Sequence, residues 1–343
     1  MPELIVRVCG ISDVGRKRTN NEDAWLVSNL LGEAPSQPTT TQEIEVGDKG
    51  VLLAVSDGMG GARAGEVASA LVIRSLEREL GQNEPTEEIT KIMSAAVEKA
   101  NAEVWKEAHG EEAKQGMGAT LTAALIRGDV VHIAEVGDSR AYLIRGRTIR
   151  QVTRDQSYAQ QLVDAGVLRA DDIGRFPMKN MILQAMGQKE SVSVEIGRLE
   201  LRRGDWLVLC SDGLHGKVKD SEIKFAVLGA KAIEDACRKL VAIANDRGGE
   251  DNITVIVAQV EGEALQAGVQ GERVTQTFQV VAKYDPMTDA PEEEAPTTGF
   301  ESGSYRAITP EKATDTKPQP NTLLPAMLVL LAITGLFIYF MIR

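Results

Sequence analysis

Cysteine and aromatic residues are scarce in this sequence, and each scarcity excludes a class of protein. The three cysteines, Cys9, Cys210 and Cys237, lie far apart and include no Cys-x-x-Cys pair. This spacing argues against a disulfide framework and against a zinc site, and it suits a reducing cytosol. Because Phe, Trp and Tyr make up 4% of the residues, the core is expected to pack mainly through aliphatic side chains.

Positive charge is also in short supply. The chain has 38 lysines and arginines against 50 aspartates and glutamates, a formal net charge of −12, and it has no basic run. Nucleic-acid binding requires neutralisation of phosphates, so this balance argues against a nucleic-acid partner. The first ten residues contain Glu3 and no long apolar stretch, which argues against a signal peptide. An acidic excess suits a protein that binds cations.

Two apolar runs end in the same tripeptide, Ser-Asp-Gly. Residues 52–55 lead into Asp57, and residues 207–210 lead into Asp212. A short apolar run that stops at a glycine predicts a buried strand, so each aspartate is expected where a core strand reaches the surface. An Asp-Gly pair by itself is most often a simple turn, so neither motif alone indicates a site.

Other acids border apolar or β-branched runs in the same way, and together they favour a site over coincidence. They are Glu22, Asp23, Asp138 and Asp251. Carboxylates held close together repel each other unless a cation lies between them, and Mg²⁺ and Mn²⁺ prefer oxygen ligands. The sequence therefore predicts a divalent metal site at the ends of core strands.

Six short motifs, in a fixed order, resemble those of the bacterial type 2C protein phosphatases, a family of metal-dependent serine/threonine phosphatases. They are Arg-x-x-Asn-Glu-Asp at 18–23, Asp-Gly-Met-Gly-Gly at 57–61, Gly-x-Gly-Ala-Thr at 116–120, Gly-Asp-Ser-Arg at 137–140, Ser-Asp-Gly at 211–213 and Asp-Asn-Ile-Thr at 251–254. The resemblance spans about residues 5–260. The ordered set is far more specific than any one motif.

The resemblance implies a metal-binding role for five residues. Asp57 would bridge two ions, the main-chain carbonyl of Gly58 would complete one coordination sphere, and Asp212 and Asp251 would bind the other ion. Asp138, together with Asp212, would form a third and weaker site. The residues themselves leave a second interpretation of Asp138 open, namely a hairpin cap.

The resemblance also implies roles for the first motif. Glu22 and Asp23 would bind or orient metal-bound water, and Arg18 would hold the substrate phosphate with its planar fork of donors. A surface salt bridge between Arg18 and Glu22 is the alternative. The implied activity is hydrolysis of phosphoserine and phosphothreonine in proteins, by a hydroxide that bridges two Mn²⁺ or Mg²⁺ ions.

Two other functions stay open at this point: a catalytically silent module that binds phosphoproteins, and a hydrolase of other phosphate esters. The expected partners are phosphoproteins, including a serine/threonine kinase and its substrates. No side-chain nucleophile is required, and Cys210 is interpreted as the last buried residue of its strand. His215 is a weak candidate for the proton donor to the leaving group, since a metal-bound water could serve as well.

The segment 154–187 resembles the family's flap, a mobile insertion beside the active site that affects substrate choice; we call it the flap. Family members usually carry histidine where this chain has Gln156 and Phe176, and often arginine at Lys179. Substrate preference or flap packing is therefore expected to differ, whereas the metal ligands are untouched.

Hairpins and paired helices alternate along the chain and predict an α+β fold. The helices are predicted at 64–80, after the helix-start signature 85–88 and at 232–244, and hairpins are predicted around 127–129 and 145–147. The resemblance implies a four-layer α-β-β-α sandwich of two mainly antiparallel sheets flanked by helices. The catalytic domain is expected to occupy residues 1–260.

The C-terminal part differs in composition. Residues 261–322 are rich in Glu, Thr, Pro and Gly and predict a flexible acidic linker, in which 273–283 is either a short strand or, as favoured, an unstructured tether. Residues 323–342 carry no charge and predict a transmembrane helix of about 30 Å. We therefore expect a single-pass protein of the inner or plasma membrane with a cytoplasmic catalytic domain.

Overall fold

Two antiparallel sheets form the centre of the molecule. The computed structural model describes residues 4–31, 35–61, 64–82, 88–110, 116–268, 278–282 and 284. The first sheet has the order β3-β1-β12-β11-β8-β9. Its strands are β1 (Ile5–Asp13), β3 (Gln42–Glu45), β8 (Arg140–Arg145), β9 (Thr148–Gln151), β11 (Trp206–Cys210) and β12 (Ile253–Glu261).

The second sheet has the order β13-β10-β7-β6-β4-β2, and a short strand β5 pairs with the end of β4. Its strands are β2 (Asp23–Asn29), β4 (Val51–Met59), β5 (Gly118–Ala119), β6 (Leu121–Arg127), β7 (Val130–Val136), β10 (Glu195–Glu200) and β13 (Phe278–Ala282). The predicted hairpins are confirmed as β6-β7 and β8-β9.

Helices cover the outer face of each sheet. The long helices are α1 (Ala64–Gln82) and α2 (Ile89–Gly110) on one side, and α5 (Asp220–Gly229) and α6 (Ile233–Asp246) on the other. Shorter helices are α3 (Tyr158–Asp164), α4 (Asp212–His215) and a 3-10 helix at Ala170–Arg175. α3 and the 3-10 helix belong to the flap.

Alternating side chains of the central strands divide the core into layers. Along β4, Leu52 and Ala54 pack with α1 and α2, whereas Leu53 and Val55 pack between the two sheets. Both faces of the strand are therefore buried, which explains its continuous apolar run. A third cluster, around Tyr142 of β8, packs the first sheet against α5 and α6. The predicted sandwich of two antiparallel sheets with flanking helices is confirmed.

The structure corrects the expected boundary of the linker. Residues 278–282 form the edge strand β13, antiparallel to β10, so the favoured interpretation of an unstructured tether is wrong for them. Leu265 is also buried, and Ala267 forms a bridge with Arg203. The physical reason is that β10 offers free backbone groups, and a segment with β-branched residues pairs with them.

The rest of the linker prediction, and the transmembrane helix predicted at 323–342, lie outside the described residues. Within the described ranges, no helix is long and apolar enough to cross a bilayer.

Candidate active site

Strand ends from both sheets bring the predicted acids together at one edge of the sandwich. Asp23 begins β2 and lies directly opposite Asp57 of β4 in the antiparallel register. Asp138 lies in the turn between β7 and β8, Asp212 follows β11 and Asp251 precedes β12. These five residues are far apart in sequence, and the fold places their side chains around one mouth.

Asp57 is at the electrostatic centre of this group. Burial raises its pKa well above the ordinary aspartate value, and four neighbouring carboxylates raise it further. These neighbours are, in decreasing order of effect, Asp23, Asp212, Asp138 and Asp251. Mutual repulsion of this kind is the expected property of acids that together hold a cation.

Two of the acids carry oxygens that the surrounding protein leaves without a hydrogen bond. Burial raises the pKa of Asp23 to about 7, although Thr254 and Ser211 donate to its Oδ2 at 2.6 Å and 2.7 Å. Burial, together with Asp251, raises the pKa of Asp212 to about 6. Asp23 Oδ1 and Asp212 Oδ1 are buried and have no hydrogen-bond partner among the described residues. Orphaned carboxylate oxygens of this kind fit a divalent cation.

The backbone around Gly58 leaves no room for a side chain. A Cβ at Gly58 would overlap the carbonyl of Gly65 and lie 2.6 Å from the carbonyl oxygen of Glu22. The Gly58 amide donates to the same Glu22 carbonyl at 3.1 Å. Glycine is therefore required where β4 passes the Glu22 loop, and the Gly58 carbonyl is part of the same edge.

Asn252 joins the loops that carry the acids. Its side-chain oxygen accepts the Glu22 amide at 2.8 Å, and its side-chain nitrogen donates to the carbonyls of Val14 and Asn20 at 3.0 Å and 2.9 Å. It therefore fixes the loop before β2 against the loop before β12. From the sequence, Asn252 was only one member of a motif. Its place directly after the predicted ligand Asp251 was the available signal for this role.

Thr120 makes a second connection that the sequence did not reveal. Its hydroxyl accepts the Asp57 amide at 2.9 Å and shares a hydrogen bond of 2.8 Å with the Ser139 hydroxyl. Its own amide donates to the Asp57 carbonyl at 2.8 Å. Thr120 thus ties the backbone of Asp57 to the turn that carries Asp138.

The flap starts from a partly buried ion pair near Asp138. Arg140 donates to both oxygens of Asp155, from Nε at 2.8 Å and from Nη2 at 2.6 Å. Burial acts to raise the pKa of Asp155, but the charge and hydrogen bonds of Arg140 outweigh it and lower that pKa. The pair therefore stays charged and fixes the first residues of the flap.

Gln156 replaces the histidine that the resemblance led us to expect, and its side chain is hydrogen-bonded through both its oxygen and its nitrogen. Its side-chain oxygen accepts the Gly137 amide at 2.9 Å and the Gln184 side chain at 2.9 Å. Its side-chain nitrogen donates to the Glu135 carbonyl at 3.2 Å. The amide side chain thereby connects both ends of the flap to the turn before Asp138.

Arg18 reaches the site from the loop before β2. Its Nη2 lies 2.8 Å from Asp251 Oδ2, and 47% of its side chain is exposed. The alternative partner Glu22 is instead buried, with Asn20 donating to its Oε1 at 3.3 Å. Arg18 is therefore a half-exposed guanidinium that lies beside a predicted metal ligand.

A cavity of about 600 Å³ opens next to these groups. Asp138, Asp212 and Asp251 lie on its wall, together with Lys179 of the flap and His215. The volume suits a phosphorylated side chain and part of its peptide. Lys179 adds positive charge on the flap side.

His215 and Cys210 do not fit catalytic roles. Burial, with the nearby charge of Arg140, lowers the pKa of His215 to about 3, so the ring is neutral at pH 7. Its Nε2 lies 2.9 Å from the Asp138 carbonyl and donates to it. Burial raises the pKa of the Cys210 thiol and keeps it protonated.

The donor set consists of oxygens, as Mg²⁺ and Mn²⁺ require. Across the described residues, no three or more His, Cys, Asp or Glu side chains form a ready-made ligand cluster. Carboxylate and carbonyl oxygens suit ions that keep several waters and take one or two carboxylates each. Asp57, Asp212 and Asp251, with the Gly58 carbonyl, are the groups available to hold them.

Comparison with known proteins gives consistent matches. The family model described as "Protein phosphatase 2C" matches residues 32–254. Serine/threonine protein phosphatase PstP of Mycobacterium tuberculosis is 36% identical over 257 residues, 75% of this chain, and the chain spans 45% of that relative's length. Serine/threonine phosphatase stp of Listeria innocua is 35% identical over 260 residues, which cover 75% of this chain and 96% of the relative.

A solved structure extends the comparison to metal ions. The catalytic domain of PstP in complex with two manganese ions is similar with a TM-score of 0.63 and 34% identity, over 75% of this chain and 99% of that one.

Proposed function

The chain belongs to the protein phosphatase 2C family, and from this premise we propose that it hydrolyses phosphoserine and phosphothreonine in proteins. The observation that carries the proposal is the meeting of Asp23, Asp57, Asp138, Asp212 and Asp251 at one edge of the sandwich. The pKa values of Asp23, Asp57, Asp138 and Asp212 are raised there, and Asp23 and Asp212 each carry a buried oxygen without a hydrogen bond among the described residues. Such a group is costly to a folded chain unless a cation compensates for it.

We propose Mn²⁺ or Mg²⁺ as that cation, with two ions per site. Asp57 and the Gly58 carbonyl would hold one ion, Asp57, Asp212 and Asp251 the other, and Asp138 with Asp212 a possible third. When bound, the ions lower the pKa of water and so supply a nucleophile for in-line attack at phosphorus.

The residues of the chain itself position the substrate. Arg18 would exchange its contact with Asp251 for the substrate phosphate, where its fork of donors offsets the charge that builds up on the phosphoryl oxygens. Glu22 and Asp23 would orient the attacking water. Asp23 is suited to this because Thr254 and Ser211 fix one of its oxygens, whereas the other is buried and has no hydrogen bond among the described residues.

The cellular setting that we propose is opposition to a serine/threonine kinase at the cytosolic face of a membrane. It rests on the uncharged stretch 323–342, which is long enough to span a bilayer. Residues 261–322 would then act in part as a tether. We expect the full chain to sediment with membranes and a chain that ends at residue 291 to stay in the supernatant.

The activity is tested on the full chain with a phosphothreonine peptide and added Mn²⁺. We expect phosphate release that EDTA abolishes, and a decrease of at least about a hundredfold in Asp57→Asn and Asp212→Asn. Asp246→Asn, an exposed acid of α6, is the matched control and should keep wild-type activity.

Two results would contradict the proposal. Peptide binding without phosphate release in the wild-type chain would favour a silent phosphoprotein-binding module. Faster turnover of a phosphodiester or small phosphate ester than of the phosphopeptide would favour a hydrolase of other esters.

A further inference from the structure

The edge strand β13 and the residue Tyr284 lie beyond the segment that the family model matches, which ends at residue 254. β13 pairs with β10 through Leu199↔Phe278 and Ile196↔Ala282, with an irregularity between Ile196 and Gly197. Two residues after the strand, Tyr284 is 7% exposed. An aromatic residue this buried at the end of a domain must pack against another part of the chain.

Tyr284 packs at the base of the flap. It lines a cavity of about 20 Å³ together with Glu195 of β10, Gln156 and Ser157 at the start of the flap, Gln161 of α3 and Leu183 near the end of the flap. The space holds about one water molecule. One side chain of the C-terminal segment therefore faces both ends of the flap.

Both ends of the flap are joined at this point. The Leu183 amide donates to the Gln156 carbonyl at 2.8 Å, and Ser157 forms a bridge with Ile182. The Ser157 hydroxyl also caps α3 by accepting the Gln160 amide at 3.2 Å. Gln156 and Ser157 therefore determine the direction in which α3 begins, and a residue that packs near them affects that direction.

The same residues reach the catalytic edge. The Gln156 amide donates to the Gly137 carbonyl at 2.7 Å, and the Gln156 side chain accepts the Gly137 amide at 2.9 Å. Gly137 immediately precedes Asp138. Tyr284 thus lies at the same small cavity as Gln156, and Gln156 is hydrogen-bonded to the residue that precedes Asp138 on the wall of the catalytic cavity.

We propose that Tyr284 is a positioning residue that holds the flap beside the catalytic cavity and thereby sets the affinity for phosphoprotein substrates. The inference rests on the proposed phosphatase function. None of the predicted metal ligands lines the small cavity at Tyr284. The effect of Tyr284 is expected on binding of large substrates, which contact the flap, and not on the hydrolysis of a small ester, which does not require it.

The test compares Tyr284→Ala and Tyr284→Phe with the wild-type full chain. Val280→Ala is the matched control, because Val280 is 48% exposed on β13 and does not line the cavity. The first readout is native-state trypsin cleavage at the exposed flap sites Arg169, Arg175 and Lys179, which does not depend on activity. We expect cleavage about fivefold faster in Tyr284→Ala, and close to wild type in Tyr284→Phe and Val280→Ala.

The second readout is steady-state kinetics. We expect the KM for a phosphothreonine peptide to rise about fivefold in Tyr284→Ala, with kcat unchanged and with p-nitrophenyl phosphate turnover unchanged. Tyr284→Phe, which keeps the ring, should restore the wild-type KM.

Two outcomes would overturn the inference: flap cleavage that is equal in Tyr284→Ala and wild type, or cleavage that increases equally at sites outside the flap, as a general loss of stability would cause. A wild-type chain without phosphatase activity would contradict the proposed function instead. The flap cleavage pattern would still decide whether Tyr284 holds the flap.

Discussion

Gly58, near the end of β4, and Gly213, which follows β11, occupy the same position of the two Ser-Asp-Gly motifs, and neither place has room for a Cβ. At Gly213 the added carbon would overlap the carbonyl of Asn252, the residue that joins the acid-bearing loops. The two Ser-Asp-Gly motifs therefore combine a charge requirement with a packing requirement. The tripeptide occurs twice because each place needs an aspartate carboxylate and, directly after it, a residue without a side chain.

Gly213→Ala should lower the free energy of unfolding by about 2 kcal/mol or more, because backbone atoms must move to relieve the overlap. Gly229→Ala is the control, since no described atom lies within 4 Å of its Cβ position and its change in stability should be small. Urea denaturation of both variants measures the difference. Equal urea midpoints for Gly213→Ala and Gly229→Ala would contradict the prediction, because they would show that the loop of Asn252 moves aside at no cost.

The acids could be predicted from sequence because each stands at the end of an apolar run, a local pattern. Asn252 and Thr120 could not, because their roles depend on which loops meet in space. The ion-pair partner of Arg18 could not be predicted from the sequence either. Glu22 is nearer along the chain, but the fold buries it and places Asp251 within 2.8 Å.

At the scale of elements, a buried ion pair joins the two sheets at the end of β8. Arg145 donates from Nε to Asp205 Oδ1 at 3.0 Å and from Nη2 to Asp205 Oδ2 at 2.7 Å, and it also donates to the Glu200 carbonyl at 2.7 Å. Asp205 precedes β11 of the first sheet, whereas Glu200 ends β10 of the second. One guanidinium therefore holds strands of both sheets together.

Asp205→Ala should cost about 3 kcal/mol of unfolding free energy, since the Arg145 charge stays buried without its carboxylate. Glu43→Ala, which removes an exposed ion pair with Arg7, should change stability little. Chemical denaturation checks both values. Because Asp205 is not on the wall of the catalytic cavity, kcat of the folded enzyme should be unchanged, and a large loss of kcat would contradict this assignment.

Local patterns predicted most elements. Helix α1 was expected at 64–80 and runs from Ala64 to Gln82, and the helix expected at 232–244 runs from Ile233 to Asp246. β13 was not favoured because its pairing depends on the free edge of β10, about eighty residues earlier in the chain. No sequence pattern within residues 273–283 indicates that β10 has a free edge with which they could pair.

On the scale of the whole molecule, the acid cluster couples cation binding to folding. The pKa of Asp23 is raised to about 7 and that of Asp212 to about 6. The folded chain therefore holds more protons than the unfolded chain between about pH 4 and pH 7, and without cations its stability falls as the pH rises through this window.

Mn²⁺ should reverse this effect. We expect Mn²⁺, added to the chain after EDTA treatment and dialysis, to raise Tm by several degrees at pH 8, where the Asp23 and Asp212 carboxylates are charged. At pH 5 the increase in Tm should be smaller, because protons compete with the ion for these carboxylates. Differential scanning calorimetry measures both shifts. Asp57→Asn should abolish most of the shift at pH 8, and an equal shift in that variant would contradict the assignment of the site.

β13 also has a consequence for the solubility of shortened chains. A fragment that ends near residue 260, the expected end of the catalytic domain, would leave β10 as the outermost strand, with its backbone N–H and C=O groups open to pairing with a second molecule. The strand that ends beside Tyr284 pairs with those groups and takes the outermost place itself. A fragment intended to keep β10 paired should therefore retain it.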